Sequence, residues 1–186
     1  MMNKKSCLPE PSPAVCRLYR ALRATQRVIV FAESCTAGLA AGAFAGIPGA
    51  SEALWGSYVV YTAEAKQSML GISAGLIERY GAVSRETASA MAEAALEKSG
   101  ADIAAAVTGL AGPDAAANPT AKPCTGDVWF AVCRKEISGG RALDTLMRHF
   151  SGSRNEVRAA ACEELFSFVL RLEKKSNSDN RFRGIQ

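Results

Sequence analysis

The stretch Arg27-Val28-Ile29-Val30-Phe31-Ala32-Glu33-Ser34-Cys35-Thr36 decides the fold. Its first half, Arg27 to Phe31, is a short β-branched and aromatic run that reads as a buried strand. Glu33-Ser34-Cys35-Thr36 ends that strand, and the small, glycine-spaced residues from Ala37 to Ala45 read as a helix. Ser34 thus sits at a strand-to-helix turn, where backbone N–H groups converge with the positive end of the helix dipole. Two roles fit that position. Ser34 or Thr36 caps the helix as an ordinary N-cap residue, or Ser34 is a nucleophile whose oxyanion is held by N–H groups at the helix start.

Working outward, the polar start of the chain gives way at Ser12-Pro13 to an N-cap and a first-turn proline, with Val15, Leu18 and Leu22 on one helical face. After Pro48-Gly49 come a strand, Trp55 to Thr62, and a short helix carrying Glu64, Lys66 and Met69. Further helices are predicted over Ser73 to Tyr80 and, behind a capping serine, over Ser84 to Lys98. Asp102 to Thr108 is apolar enough for a third buried strand and runs into a long Gly/Pro/Ala/Thr loop reaching Gly126. Val128 to Cys133 and Ala142 to Phe150 read as a hairpin around Ser138-Gly139-Gly140. Ser153-Arg154-Asn155-Glu156 is a capping-box pattern, followed by Val157, Ala161, Leu165, Phe168 and Leu172 at helical spacing.

Helices and strands alternate early and a hairpin comes late, which predicts an α/β fold whose mixed sheet is covered by helices on both faces. One domain spans residues 12–173, between a flexible segment at 1–11 and a flexible polar tail at 174–186. No internal repeat interrupts it. The 186 residues are 48% hydrophobic, enough for one real core. The net charge of +4 is dispersed except in the tail, at Lys174, Lys175, Arg181 and Arg183, which is too mild a bias for a nucleic-acid groove. No apolar run approaches the ~18 residues of a membrane span. Six cysteines form no C-x-x-C pair and His149 has no partner at ligand spacing, so neither a metal site nor a cofactor is expected. Without a secretory leader, the cysteines read as reduced thiols of a cytoplasmic protein.

A serine nucleophile needs a base, and the one histidine, in Arg148-His149-Phe150, belongs to a strand remote from the end of the first. A lysine whose pKa is lowered by burial is the alternative activator. Lys66 closely follows the strand ending at Tyr61-Thr62, which places it near the same sheet edge; a solvated helix lysine also fits that position. The loop Gly109-Leu110-Ala111-Gly112-Pro113-Asp114 leaves the third strand where open α/β sheets bind ligands, or is an ordinary exit turn. Gly152-Ser153-Arg154, with Arg158 one turn on, offers N–H groups and guanidinium charge suited to a phosphate, or simply a cap and a surface arginine.

Taken together, these motifs resemble the C-terminal domain family of the competence- and damage-inducible protein CinA, whose stand-alone members include nicotinamide-nucleotide amidase. The residues that carry the resemblance are Ala32 to Thr36, Pro48-Gly49-Ala50-Ser51, Gly56 through Tyr61, Glu64-Ala65-Lys66, Leu70-Gly71, Tyr80 to Ser84, Met91-Ala92, Thr108 to Asp114, Lys122-Pro123 and Phe150 to Arg154. The resemblance covers nearly everything from about Ser12 to Leu172. The resemblance implies a three-layer α/β/α sandwich, self-associated as a homodimer or higher homo-oligomer, that deamidates nicotinamide mononucleotide to nicotinate mononucleotide and ammonia. It implies Ser34 as nucleophile, Lys66 and Tyr61 as proton-handling groups, and Thr108 and Arg154 at the pyridine nucleotide. Glu33, Cys35, Thr36, Gly109 and Gly112 accompany them as candidate substrate-binding positions.

The chain departs from the family pattern at Ala115-Ala116-Ala117 and at Ala37, where glycines commonly stand, and in a longer loop to Gly126. Two other readings use the same residues: a nucleotide-binding or partner module without turnover, and a serine-lysine amidase acting on another small amide.

Overall fold

The computed structural model describes residues 10–112, 123–136 and 139–183, with side chains of the last helix described through Lys175. The loop residues Pro113 to Lys122, including the three alanines, lie outside the described residues, as do Cys7 and Ser138. In chain order the elements are α1 (Pro13–Thr25), β1 (Ile29–Glu33), α2 (Leu39–Ala45), a 3₁₀ turn (Ala50–Glu52), β2 (Leu54–Val59), α3 (Ala63–Leu70), α4 (Ala74–Tyr80), α5 (Arg85–Ser99), β3 (Ile103–Gly109), β4 (Asp127–Lys135), β5 (Arg141–His149) and α6 (Arg154–Arg183).

Local chemistry starts these helices where the sequence places their caps. The hydroxyls of Ser12, Thr62, Ser73 and Ser84 accept from the N–H groups of Val15, Ala65, Leu76 and Thr87, each satisfying a donor that the first helical turn leaves free. At α6 the Glu156 carboxylate reaches back to the Ser153 N–H at 2.8 Å, one half of the predicted capping box. The helix then continues to Arg183, past the Leu172 at which the apolar spacing ends.

The sheet has the order β2-β1-β3-β4-β5. β2, β1 and β3 are parallel, and β4 and β5 add antiparallel, so the sheet is mixed. The two-residue period of a strand divides its side chains between two cores. Ile29, Phe31, Ile103, Val107, Phe130 and Val132 pack under α1, α2 and α6. Val30, Ala32, Ala104, Ala106, Ala131 and Cys133 pack on the other side with Met91, Ala92 and Leu96 of α5. Helices on both faces complete a three-layer α/β/α sandwich.

The edge of the sheet far from the strand ends that carry Ser34 is tied by Arg27. Its guanidinium donates to both Glu173 carboxylate oxygens (2.9 and 3.0 Å) and to the carbonyls of Asp102 (3.1 Å) and Lys135 (2.8 Å). The Asp102 carboxylate accepts from the Val28 N–H at 2.9 Å. One side chain thereby joins the starts of β1 and β3, the end of β4, and α6.

β1 runs on through Glu33, two residues past the predicted strand, because its pairing with Val59 and Val107 continues that far. α2 starts at Leu39, not Ala37, because Ala37 (φ 52°) and Gly38 (φ 92°) are left-handed. A glycine takes that conformation freely, whereas alanine there is strained. The five described cysteines, Cys16, Cys35, Cys124, Cys133 and Cys162, are free thiols. Among the described residues no helix is long and apolar enough to cross a membrane.

Candidate active site

The carboxyl ends of β1 and β3 open into a cleft of about 450 Å³, a ligand-sized volume in the place where open α/β sheets bind ligands. Ser34 is pinned at its floor: its N–H donates to the Val107 carbonyl of β3 at 3.0 Å. On the other side of β1, the Val60 N–H donates to the Glu33 carbonyl at 2.8 Å, extending the ladder one residue beyond β2. The exit from β2 therefore runs alongside Ser34, and the capped helix α3 that follows turns Lys66 back into the site.

Lys66 is 1% exposed. Its Nζ lies 2.8 Å from the Ser34 Oγ and donates to the carbonyls of Val60 (3.0 Å) and Tyr61 (3.5 Å). Among the described residues no carboxylate bonds to it, and burial lowers its pKa from 10.5 to about 8. The pair thus combines a hydroxyl with an amine that sheds its proton near neutral pH, the requirement for general-base activation of serine. Tyr61 contributes its backbone carbonyl to both partners, accepting from the Ser34 Oγ at 3.4 Å, while the residue as a whole is 55% exposed and lines the cleft. His149 pairs instead with Asp127, Nδ1 to Oδ1 at 2.8 Å, and is not part of the cleft lining.

Of the residues expected from the sequence, Ser34, Cys35, Tyr61, Lys66, Thr108, Gly109, Gly112 and Arg154 all line the cleft. Glu33 and Thr36 do not, and the reason is chemical. Glu33 is fully buried, and its carboxylate accepts from the N–H groups of Gly38 (2.9 Å), Ala40 (3.0 Å) and Ala41 (3.0 Å) and from the hydroxyls of Thr36 (2.8 Å) and Ser57 (3.0 Å). It is the anion at the N-terminus of α2. The expectation that N–H groups at the start of this helix hold an oxyanion is corrected by the same bonds, since Glu33 already occupies them. Of the turn's donors, Ala37 and Leu39 are also engaged internally, by the carbonyls of Ser34 and Thr36.

The other lining residues are shaped by packing. Thr108 is fully buried and donates its hydroxyl to the Ala82 carbonyl at 2.8 Å, which brings the Ala82-Val83 segment to the cleft wall. Gly109 allows β4 to approach: a Cβ there would stand 2.7 Å from Val128 Cγ2 and 2.8 Å from the Asp127 carbonyl. Gly112 makes room for Arg154, whose Cβ and Nε would each stand 3.0 Å from such a Cβ. Among the described residues Arg154 has no hydrogen bond or ion pair, so its guanidinium is available at the cleft mouth. Burial pushes the Cys35 thiol up to about 11, so it lines the cleft as a neutral group.

Arg158, expected with Arg154 at a phosphate, is committed elsewhere. Its Nε donates to the Cys35 carbonyl and its Nη2 to the Thr36 carbonyl, each at 3.1 Å. Sequence reasoning identified the residue and its charge; its partners, 123 and 122 positions away, carry no local signal.

The fold and site together define a three-layer α/β/α domain with a ligand-sized cleft built on a buried serine–lysine pair. The chain belongs to the CinA family: the CinA C-terminal domain model matches residues 13–172. It is 41% identical over 141 residues to the nicotinamide-nucleotide amidohydrolase PncC of Enterobacter agglomerans, covering 76% of this chain and 82% of that one. It is 45% identical over 132 residues to a CinA-like protein of Mycolicibacterium vanbaalenii, where the match covers 71% of this chain but only 30% of the relative's length. The solved structure of the competence/damage inducible protein CihA from Agrobacterium tumefaciens superposes with a TM-score of 0.78 at 34% identity, covering 90% of this chain and 99% of that one.

Proposed function

We propose that this domain hydrolyses the carboxamide of nicotinamide mononucleotide, giving nicotinate mononucleotide and ammonia, with Ser34 as nucleophile. The observation that carries the reading is the 2.8 Å contact between the Ser34 Oγ and the buried, pKa-lowered Lys66 Nζ. The likeness to the Enterobacter amidohydrolase supports the choice of amide. Arg154, which lines the cleft and has no ion pair among the described residues, supports a substrate bearing phosphate.

In this mechanism neutral Lys66 takes the Ser34 hydroxyl proton as the Oγ–C bond forms at the carboxamide carbon. The tetrahedral oxyanion is met by backbone N–H groups other than those held by Glu33. Lys66 then returns the proton to the amide nitrogen, the C–N bond breaks and ammonia leaves. Water, giving up its proton to Lys66, attacks the acyl-serine ester, and the released serine recovers a proton from the same amine. The Tyr61 phenol, at the wall of the cleft, is the second group able to hand a proton to the leaving nitrogen.

The test is ammonia release from nicotinamide mononucleotide by purified, chelator-treated protein, alongside Ser34→Ala and Lys66→Ala. Release by the native chain alone supports the reading. Unchanged release by Ser34→Ala, or binding of the nucleotide without release by the native chain, refutes it.

A further inference from the structure

We propose that Arg158 is a positioning residue for the nucleophile: it clamps the two peptide groups that follow Ser34 and holds the turn in its reactive shape. The proposal rests on the reading of Ser34 as an acyl-transfer nucleophile. It concerns how that serine is held, not which amide it attacks.

The turn from Ser34 to Leu39 is gripped from two sides by opposite charges. On the amide side, the Glu33 carboxylate takes the N–H groups of Gly38, Ala40 and Ala41. On the carbonyl side, the half-buried Arg158 guanidinium donates to Cys35 O and Thr36 O at 3.1 Å, and its third nitrogen donates to the Asn155 Oδ1 at 3.3 Å. In a trans peptide the C=O and N–H point in opposite directions. Drawing the Cys35 carbonyl toward α6 therefore turns the Thr36 N–H away from α6, and drawing the Thr36 carbonyl does the same for the Ala37 N–H, which closes the turn on Ser34 O at 3.1 Å. Bonding a carbonyl to a cation also polarises its peptide and strengthens the N–H as a donor.

The turn needs such a clamp because of Ala37. A φ of 52° at a residue with a Cβ is strained, and a strained backbone persists where its surroundings over-determine it. Arg158 bonds the two carbonyls immediately before that residue. Its neighbour one turn earlier, Arg154, lines the cleft, whereas Arg158 is not part of the cleft lining. The two arginines of α6 thus divide their work: Arg154 faces the ligand and Arg158 faces the backbone that presents the nucleophile.

The experiment compares the full chain with Arg158→Met and Arg158→Lys. It reads kcat and KM for nicotinamide mononucleotide, the rate at which a fluorophosphonate phosphonylates the Ser34 Oγ with loss of fluoride, and thermal unfolding. In Arg158→Met, kcat and the labelling rate are expected to fall together by about 10- to 100-fold, the scale of a small misplacement of a reacting group, with KM unchanged. Arg158→Lys, which keeps the charge and one donor, is expected to recover part of both. If Arg158→Met does not fold, the lysine variant carries the same comparison.

A raised KM with unchanged kcat would make Arg158 a substrate ligand, and unchanged kcat and labelling would make it an incidental surface contact; either overturns the proposal. If the native protein is labelled at Ser34 but releases no ammonia from the nucleotide, the substrate reading fails while the labelling rates still judge Arg158. If native Ser34 is not labelled and no ammonia is released, the nucleophile reading falls and the proposal with it.

Discussion

Lys66 Nζ and Ser34 Oγ stand 2.8 Å apart in a buried setting although 32 residues separate them in the chain. The amine reaches the hydroxyl through the β1–β2 pairing, which continues past β2 to Val60 and brings the start of α3 beside the end of β1.

That contact sets a pH dependence. Only neutral Lys66 accepts the serine proton, and its pKa is lowered to about 8 by burial. The kcat/KM for amide hydrolysis is therefore expected to rise tenfold per pH unit below about 8 and to level off above it. A pH–rate profile with a flat response from pH 6 to 9 would remove Lys66 from the role of base.

Burial of the same amine opposes folding. With a folded-state pKa of about 8 against 10.5 in the free side chain, the penalty is complete below pH 8 and fades as pH rises to 10.5. Lys66→Met is expected to abolish ammonia release while stabilising the fold at pH 7 by up to about 3 kcal/mol. Unfolding curves at pH 7 and pH 10 check the sign: the advantage of the variant should shrink at the higher pH.

Ala37 offers a second stabilising change, at a strained backbone position. Its φ of 52° suits glycine, and the left-handed conformation costs other residues about 1–2 kcal/mol. Against the extra chain entropy of glycine, Ala37→Gly is expected to gain about 1 kcal/mol, or about 2–4 °C in Tm. Calorimetry reads it directly, and a lowered Tm would show that the turn is not strained at this residue.

Glu33 tests the other side of the turn. Glu33→Gln replaces one carboxylate oxygen by an NH₂ that confronts donors, either the Ala41 N–H and Ser57 hydroxyl or the Gly38 and Ala40 N–H groups. Hydrogen bonds to a charged group contribute about 1.5–3 kcal/mol each, so a loss of at least about 2 kcal/mol is expected in denaturant unfolding. A neutral outcome would mean that the isosteric amide satisfies the α2 N-terminus equally well.

Gly112 and Arg154 form a coupled pair. Arg154→Ala is expected to raise KM for nicotinamide mononucleotide by about 10- to 100-fold, the worth of a charge-assisted bond, and to leave nicotinamide riboside, which lacks the phosphate, unaffected. Gly112→Ala should do the same more weakly, since its Cβ displaces the Arg154 side chain. Equal effects on both substrates would place Arg154 away from the phosphate.

Much of this fold is legible in the sequence, for local reasons. Ser12, Ser73 and Ser84 announce their helices because a cap is made within three residues. The strand at Ile29–Phe31 shows itself because burial on both faces demands a continuous apolar run. The spacing of Val157, Ala161, Leu165, Phe168 and Leu172 reports the buried face of α6.

Most of the cleft lining is legible in the sequence, its bonding less so. Lys66 beside a strand end looks the same in sequence whether it is solvated or buried, because the pairing that brings it to Ser34 is made between residues 32 positions apart. Glu33 illustrates the limit: a carboxylate at a strand end resembles a substrate ligand until the N–H groups of α2 are seen converging on it. Arg158 likewise advertises its charge but not the carbonyls it meets, because those partners lie on the far side of the chain.

α6 connects the two poles of the domain. Near its start it supplies Arg154 to the cleft and Arg158 to the turn after Ser34, and further along it supplies Glu173 to the Arg27 tie, about 28 Å from Arg154 along the helix axis at 1.5 Å per residue. The cleft is therefore finished by a helix that follows all of its other lining residues in the chain. During synthesis a ribosome-bound chain can carry Ser34 and Lys66 in full and still lack the helix that fixes the turn between them. Because α6 also covers one face of the sheet with Val157, Leu165, Phe166 and Val169, a chain that stops at Phe150 keeps both residues of the pair but leaves that core open to water.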